Sequence, residues 1–164
     1  MNHHGDHRDY TDEEKRLLTR NLADLALEIH RGDWLSEPVS VAGLCALHRR
    51  VFGGVRDHAG RHRTQGWGAE RLTFGPNRSA HRDQVAAELE RAFDQARRSM
   101  ASIRHNPDSP EYEAASVRVA VWLHAEIVRI HPFEDGNGRS SRLVMAQVLV
   151  SLGLQPIPIE AVKQ

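Results

Sequence analysis

"HPFEDGNGRSSR", residues 131–142, sets a histidine, two carboxylates, a Gly-Asn-Gly run and two arginines within twelve positions. On either side lie two segments rich in apolar residues, "ASVRVAVWLHAEIVRI" (115–130) and "RSSRLVMAQVLVSL" (139–152). Pro132 disfavours helical geometry at His131, so the first segment reads as a helix that stops there. The second reads as a helix from about Gly138 to Leu152, halted by Gly153, Pro156 and Pro158. The first is apolar on most sides, which marks it as the central, buried helix. The quoted stretch is therefore the loop of a helix–loop–helix.

That loop has the parts of an anion site. The first N–H groups of the second helix have no partner within the helix, and the helix dipole favours negative charge there. Gly136 and Gly138 let the backbone approach a ligand closely, and Asn137 tolerates left-handed geometry. Arg139 and Arg142, three apart, share a helix face and add charge-assisted donors. The combination suits a polyphosphate, which usually arrives with Mg²⁺; Glu134 and Asp135 are the candidate hard oxygen ligands. His131 could act as a general base near neutral pH. Phe133 reads as a core anchor. Each feature taken singly has a plainer explanation, and their joint occurrence in one window is what points to phosphate chemistry.

Outward from the loop the chain reads as mostly helical. Residues 1–10 are polar and His-rich and read as a disordered tail. Thr11 with Glu14 is a possible capping box, and Leu17, Leu18, Leu22, Leu25 and Ile29 follow at helical spacing up to Gly32. A second helix is expected from Ser40 to about Phe52. Residues 53–78 hold six glycines and no helical period, which predicts an irregular segment with a short hairpin, one arm near "RLTF". Helix resumes near Ser79, with Val85, Leu89, Phe93, Ala96, Met100 and Ile103 as its buried stripe. Ser109 and Pro110 read as the cap and first residue of the next helix.

The 164 residues suffice for one domain, with 22 basic and 22 acidic side chains in balance. That balance gives no sign of a bulk nucleic-acid or membrane binder. No apolar run approaches the roughly 18–20 residues of a membrane span, and the start of the chain lacks a signal-peptide pattern. A cytoplasmic protein is the expectation. Cys45, the one cysteine, sits in an apolar run and reads as a buried thiol.

The quoted stretch resembles the signature of the Fic family (filamentation induced by cAMP), H-P-F-x-[D/E]-G-N-G-R-x-x-R, at every fixed position. The likeness covers about residues 40–155 within a single domain spanning 11–164. It implies an all-α Fic fold with a β-hairpin flap, and transfer of AMP from ATP to a Tyr, Thr or Ser hydroxyl of a target protein. His131 would then be the base and Asp135 the Mg²⁺ ligand. Gly136, Asn137 and Gly138 would form the anion hole, and Arg139 and Arg142 would bind phosphate. The flap, Arg71, Leu72, Thr73, Phe74 and Gly75, would dock the target by β-augmentation.

The resemblance also frames the alternatives. Relatives resembling Doc toxins, which transfer phosphate, carry lysine where this chain has Gly138; UTP, GTP or CDP-choline are donors in others. Many relatives restrain themselves with an [S/T]-x-x-x-E-[G/N] helix. The one approximate match here, Ser109 to Glu113, is followed by Ala114 and reads as a helix start. A toxin restrained by a separate antitoxin protein is thus one expectation. Readings outside the family are a non-catalytic nucleotide-binding module and a metal site at His3, His4 and His7, the latter lacking known ligand spacing.

Overall fold

The computed structural model describes residues 9–35, 38–64 and 66–156. Five helices and one two-stranded hairpin follow in the order α1 (Asp12–Arg31), α2 (Val41–Phe52), β1 (Thr73–Phe74), β2 (Asn77–Arg78), α3 (Arg82–Arg104), α4 (Tyr112–Ile130) and α5 (Asn137–Ser151). The all-α expectation with a hairpin holds.

The start of α1 is the predicted capping box: Thr11 Oγ1 accepts from the Glu14 N–H, and the Glu14 carboxylate accepts from the Thr11 N–H. Gly32 closes the helix in left-handed geometry at φ 84°. Ser40 caps α2 through the Gly43 N–H. The hairpin pairs Thr73 with Arg78 and Phe74 with Asn77, which places one arm at the predicted "RLTF". The α3 stripe is buried at Val85, Leu89, Phe93, Ala96 and Met100, with Ile103 packed at its edge.

Several expectations are corrected. Helix α4 begins at Tyr112 rather than at Pro110; the Ser109 hydroxyl instead accepts from Glu111 N–H in the turn before it. Helix α4 also exposes Val121 to 44%, so it is amphipathic. The most enclosed helix is α5, whose run Leu143–Leu149 is buried throughout. It packs against α1, α2 and α4, while α3 covers the other side of α4. Cys45 is half-buried. Residues 1–8 of the expected tail, with His3, His4 and His7, lie outside the described residues, as does Pro158. Tyr10 is described and does not behave as tail: it packs on the core and reaches Asp135, 125 positions away.

The helical layers bring four chain segments to one place. The C-terminus of α4 and the N-terminus of α5 meet the end of α2 and the glycine-rich segment, and the hairpin lies above them.

Candidate active site

A cleft of about 260 Å³ opens between α4 and α5, lined by His131, Glu134, Asp135, Gly136, Asn137, Gly138, Arg139 and Arg142. All seven residues expected at the motif therefore face one space.

His131 ends α4 in left-handed geometry, φ 54° and ψ 61°, the one non-glycine with positive φ among the described residues. Such a conformation is costly for a side chain bearing a Cβ and needs outside support. Arg63 supplies it. This fully buried guanidinium donates to the carbonyls of His131 at 2.8 and 3.1 Å, Ile130 at 3.2 Å and Ala80 at 3.1 Å. It also reaches the carbonyls of Ala69 and Glu70, at 2.9 and 3.2 Å. Burial pushes its pKa down to about 10, so it stays charged at neutral pH. One side chain thus caps α4 and ties the hairpin segment to it.

The imidazole of His131 donates from Nδ1 to the Val128 carbonyl at 3.2 Å, leaving the Nε2 lone pair free. Burial and the nearby Arg63 charge lower its pKa below the ordinary 6.5, so the ring is neutral at pH 7. Phe74 of the flap stacks on this ring, centroids 4.1 Å apart. The imidazole is in the form that can take a proton.

Gly136, not Asn137, adopts the left-handed conformation (φ 80°). A Cβ there would lie 2.2 Å from the Phe52 ring, so glycine is required twice over. Asn137 is helical and staples the loop: its Oδ1 accepts from the Phe133 N–H and its Nδ2 donates to the Phe133 carbonyl, both at 2.8 Å. No side chain caps α5, which leaves its first-turn N–H groups for a ligand. At Gly138 a Cβ would meet only Arg142 Nη1, at 3.5 Å. Packing does not demand that glycine; it keeps the cleft open.

Burial alone would raise the Asp135 pKa, but it is outweighed by the Tyr10 hydrogen bond, the Arg139 charge, the Gly136 N–H and Arg56. The carboxyl is held below its ordinary value. Arg139 approaches it at 3.2 Å and also receives Phe52 under its guanidinium at 4.6 Å. Arg56 stands 3.6 Å from the same carboxylate and stacks over Tyr10 at 4.2 Å. The Tyr10 hydroxyl donates to Asp135 and accepts from Arg139 at 3.1 Å. Arg142 differs: its buried Nε finds no partner among the described residues. A half-buried arginine with one enclosed, unpartnered N–H beside an uncapped helix N-terminus is a donor set that suits an anion.

Glu134 lines the cleft, and its Oε1 accepts from the Ala69 N–H at 2.5 Å, tying loop to flap segment. Among the described residues no group of three or more His, Cys, Asp or Glu gathers. A magnesium ion here would rest on Asp135 and on the phosphates themselves, its usual mode. In the flap, Leu72 is buried and its N–H bonds Ser79 Oγ, while Arg71 donates to the Ser79 carbonyl; Thr73 and Gly75 are exposed.

The Fic/DOC family model matches residues 38–149, α2 through most of α5 and the whole cleft loop. The chain belongs to the Fic/DOC family. It is 31% identical over 123 residues to a protein adenylyltransferase Fic of Drosophila willistoni, covering 74% of this chain and 22% of that protein. It is 30% identical over 126 residues to a protein adenylyltransferase Fic of Nematostella vectensis, covering 76% of this chain and 26% of that protein. The chain therefore spans about a quarter of these relatives' length. Among solved structures it resembles the Fic domain of a Bartonella effector protein, with TM-score 0.64 and 18% identity over 86% of this chain and 64% of that one. BepC of Bartonella tribocorum, crystallised with AMPPNP, matches with TM-score 0.63 and 17% identity over 93% and 74%. These two likenesses concern the fold.

Beyond the Fic motif the structure adds Tyr10, Arg56, Arg63 and His48 to the site and its support. Arg63 falls in the glycine-rich segment and had a sequence signal only in standing beside the hairpin. Tyr10 had none.

Proposed function

We propose that this Fic-family chain is a protein adenylyltransferase, transferring AMP from ATP to a Tyr, Thr or Ser hydroxyl of a target protein. The observation that carries the reading is the neutral His131, its Nε2 free, beside a cleft with an uncapped helix and an unpartnered Arg142. The adenylyltransferase names of the relatives support the donor class.

In this mechanism the triphosphate lies over the N-terminus of α5, with Arg139 and Arg142 on its oxygens. Asp135 would hold Mg²⁺, which supplies charge neutralisation between the phosphates. The acceptor hydroxyl loses its proton to His131 Nε2 as its oxygen attacks the α-phosphorus and pyrophosphate leaves. The free edge of the Thr73–Phe74 hairpin would align the target's backbone beside His131. For this to happen Phe74 must hold the acceptor close to the ring it now covers.

The Ser109–Glu113 pattern lies at the end of α4 remote from His131; Tyr112 beside it bonds the Leu152 carbonyl at 2.9 Å, past the end of α5. It cannot serve as an inhibitory glutamate at Arg142. A toxin-like or regulatory role in the cytoplasm, under a separate inhibitory protein, is the corresponding part of the proposal.

The test is incubation of the purified chain with Mg²⁺ and ATP labelled at the α- or γ-phosphate, in cell lysate. Label on protein from the α-position alone is the expected result. Label from the γ-position would make the reaction phosphate transfer and overturn the reading.

A further inference from the structure

Helix α2 builds the floor of the phosphate loop, and His48 is its central contact. The His48 ring is fully buried and stacks between Phe52 of the same helix and Phe133 of the loop, with centroids 4.5 and 3.8 Å away. Its Nδ1 accepts from the Gly60 N–H at 2.8 Å. A nitrogen that accepts carries no proton, so in the neutral ring the proton sits on Nε2. That Nε2–H donates to the Asp135 carbonyl at 2.9 Å.

The Asp135 carbonyl belongs to the same rigid peptide unit as the Gly136 N–H, and in a trans peptide the two groups point to opposite sides. The structure contains no cis peptide bond among the described residues. The Gly136 N–H in turn donates to Asp135 Oδ1 at 2.6 Å. Fixing the carbonyl from below thus fixes the N–H above, and with it the carboxylate that the N–H holds. Neither Phe52 nor Phe133 can do this, since rings without polar atoms set distance but not peptide orientation.

We propose that His48 is a positioning residue: its Nε2–H orients the Asp135–Gly136 peptide so that Asp135 and the start of α5 meet a metal–nucleotide. The inference rests on the reading of the cleft as a nucleotide site. It does not require that the chain transfer AMP, because its consequence appears in binding.

His48→Phe keeps an aromatic ring between Phe52 and Phe133 and removes both hydrogen bonds. His48→Gln restores an amide that can donate at one atom and accept at the other. Calorimetric binding of AMPPNP is measured with Mg²⁺ and with EDTA, beside circular dichroism of each variant. The expected result is a loss of about 10- to 100-fold in Mg²⁺–AMPPNP affinity for His48→Phe, a much smaller loss in EDTA, and partial recovery in His48→Gln. Equal affinity of wild type and His48→Phe for Mg²⁺–AMPPNP overturns the inference, as does an equal loss with and without Mg²⁺. Absence of binding by the wild type overturns the reading of the cleft, a failure visible before any variant is made. If His48→Phe does not fold, imidazole ¹⁵N resonances of the wild type decide. The Nε2–H tautomer, perturbed by Mg²⁺–AMPPNP more than by AMPPNP in EDTA, supports the role; the other tautomer or an unmoved resonance overturns it.

Discussion

At the scale of single residues, the motif side chains are held by partners outside the motif. Asp135 is an example, because the Tyr10 hydroxyl occupies a lone pair that a cation would use. Removing that hydroxyl frees the carboxylate while Arg56 and Arg139 still hold it ionised. A hydrogen bond to a charged group contributes about 1.5–3 kcal/mol, less at a half-exposed site. Tyr10→Phe is expected to tighten Mg²⁺–AMPPNP binding by about 3- to 10-fold; calorimetry showing weaker binding would mean that Tyr10 supports the site instead. Arg63 presents the opposite case. Arg63→Ala removes a buried donor shared by five carbonyls of the α4 terminus and the flap segment and leaves those of His131 and Ala69 without it, and a loss of roughly 3–5 kcal/mol is expected. Urea denaturation measures it; a loss below about 1 kcal/mol, the scale of one ordinary hydrogen bond, contradicts the capping role.

At the scale of elements, two glycines two positions apart have different reasons. Gly136 combines positive φ with contact against Phe52, whereas a Cβ at Gly138 meets only the flexible end of Arg142. Gly136→Ala should destabilise the fold by about 2–4 kcal/mol, from overpacking and backbone strain together. Gly138→Ala should leave the melting temperature close to wild type; equal losses in the two variants would contradict the geometry. Local signals made most elements legible in the sequence. The Thr11–Glu14 box and the Ser40 cap set two helix starts, because caps involve neighbours three apart. Ser109–Pro110 misled because the same residues also form turns, and here the hydroxyl serves Glu111 before the helix begins. The enclosed position of α5 was not legible from its composition: Ser140, Ser141 and Gln147 are polar, and only packing by α1, α2 and α4 buries them.

At the scale of the whole molecule, the site was readable as far as it is contiguous. Residues 131–142 carry a histidine, carboxylates, glycines and arginines in one window, so chemistry could be argued from spacing. Arg63, His48 and Tyr10 come from three distant segments, and no periodicity marks a residue whose role is to meet a loop across the fold. The same long-range burial gives the protein an acid sensitivity. His48 is held down to about 4 by burial, and His124 and His131 are lowered for the same leading cause. Their unfolded values lie near 6.5, so the unfolded chain binds more protons than the native one below that pH. Stability is therefore complete above about pH 6.5 and declines as pH falls, with the His48 share of about 3 kcal/mol fully lost below about pH 4. Urea midpoints at pH 7, 6 and 5 should fall in order, and His124→Gln should flatten the slope. Midpoints that do not change over this range would contradict the burial of these rings.

The central claim is that His131 moves a proton rather than holding the nucleotide. Its most direct test pairs two readings of His131→Ala: Mg²⁺–AMPPNP affinity, and transfer of α-phosphate label from ATP to protein. Affinity within a few-fold of wild type, with transfer reduced by about 10²-fold or more, is the predicted result. Transfer that survives the substitution would contradict the claim.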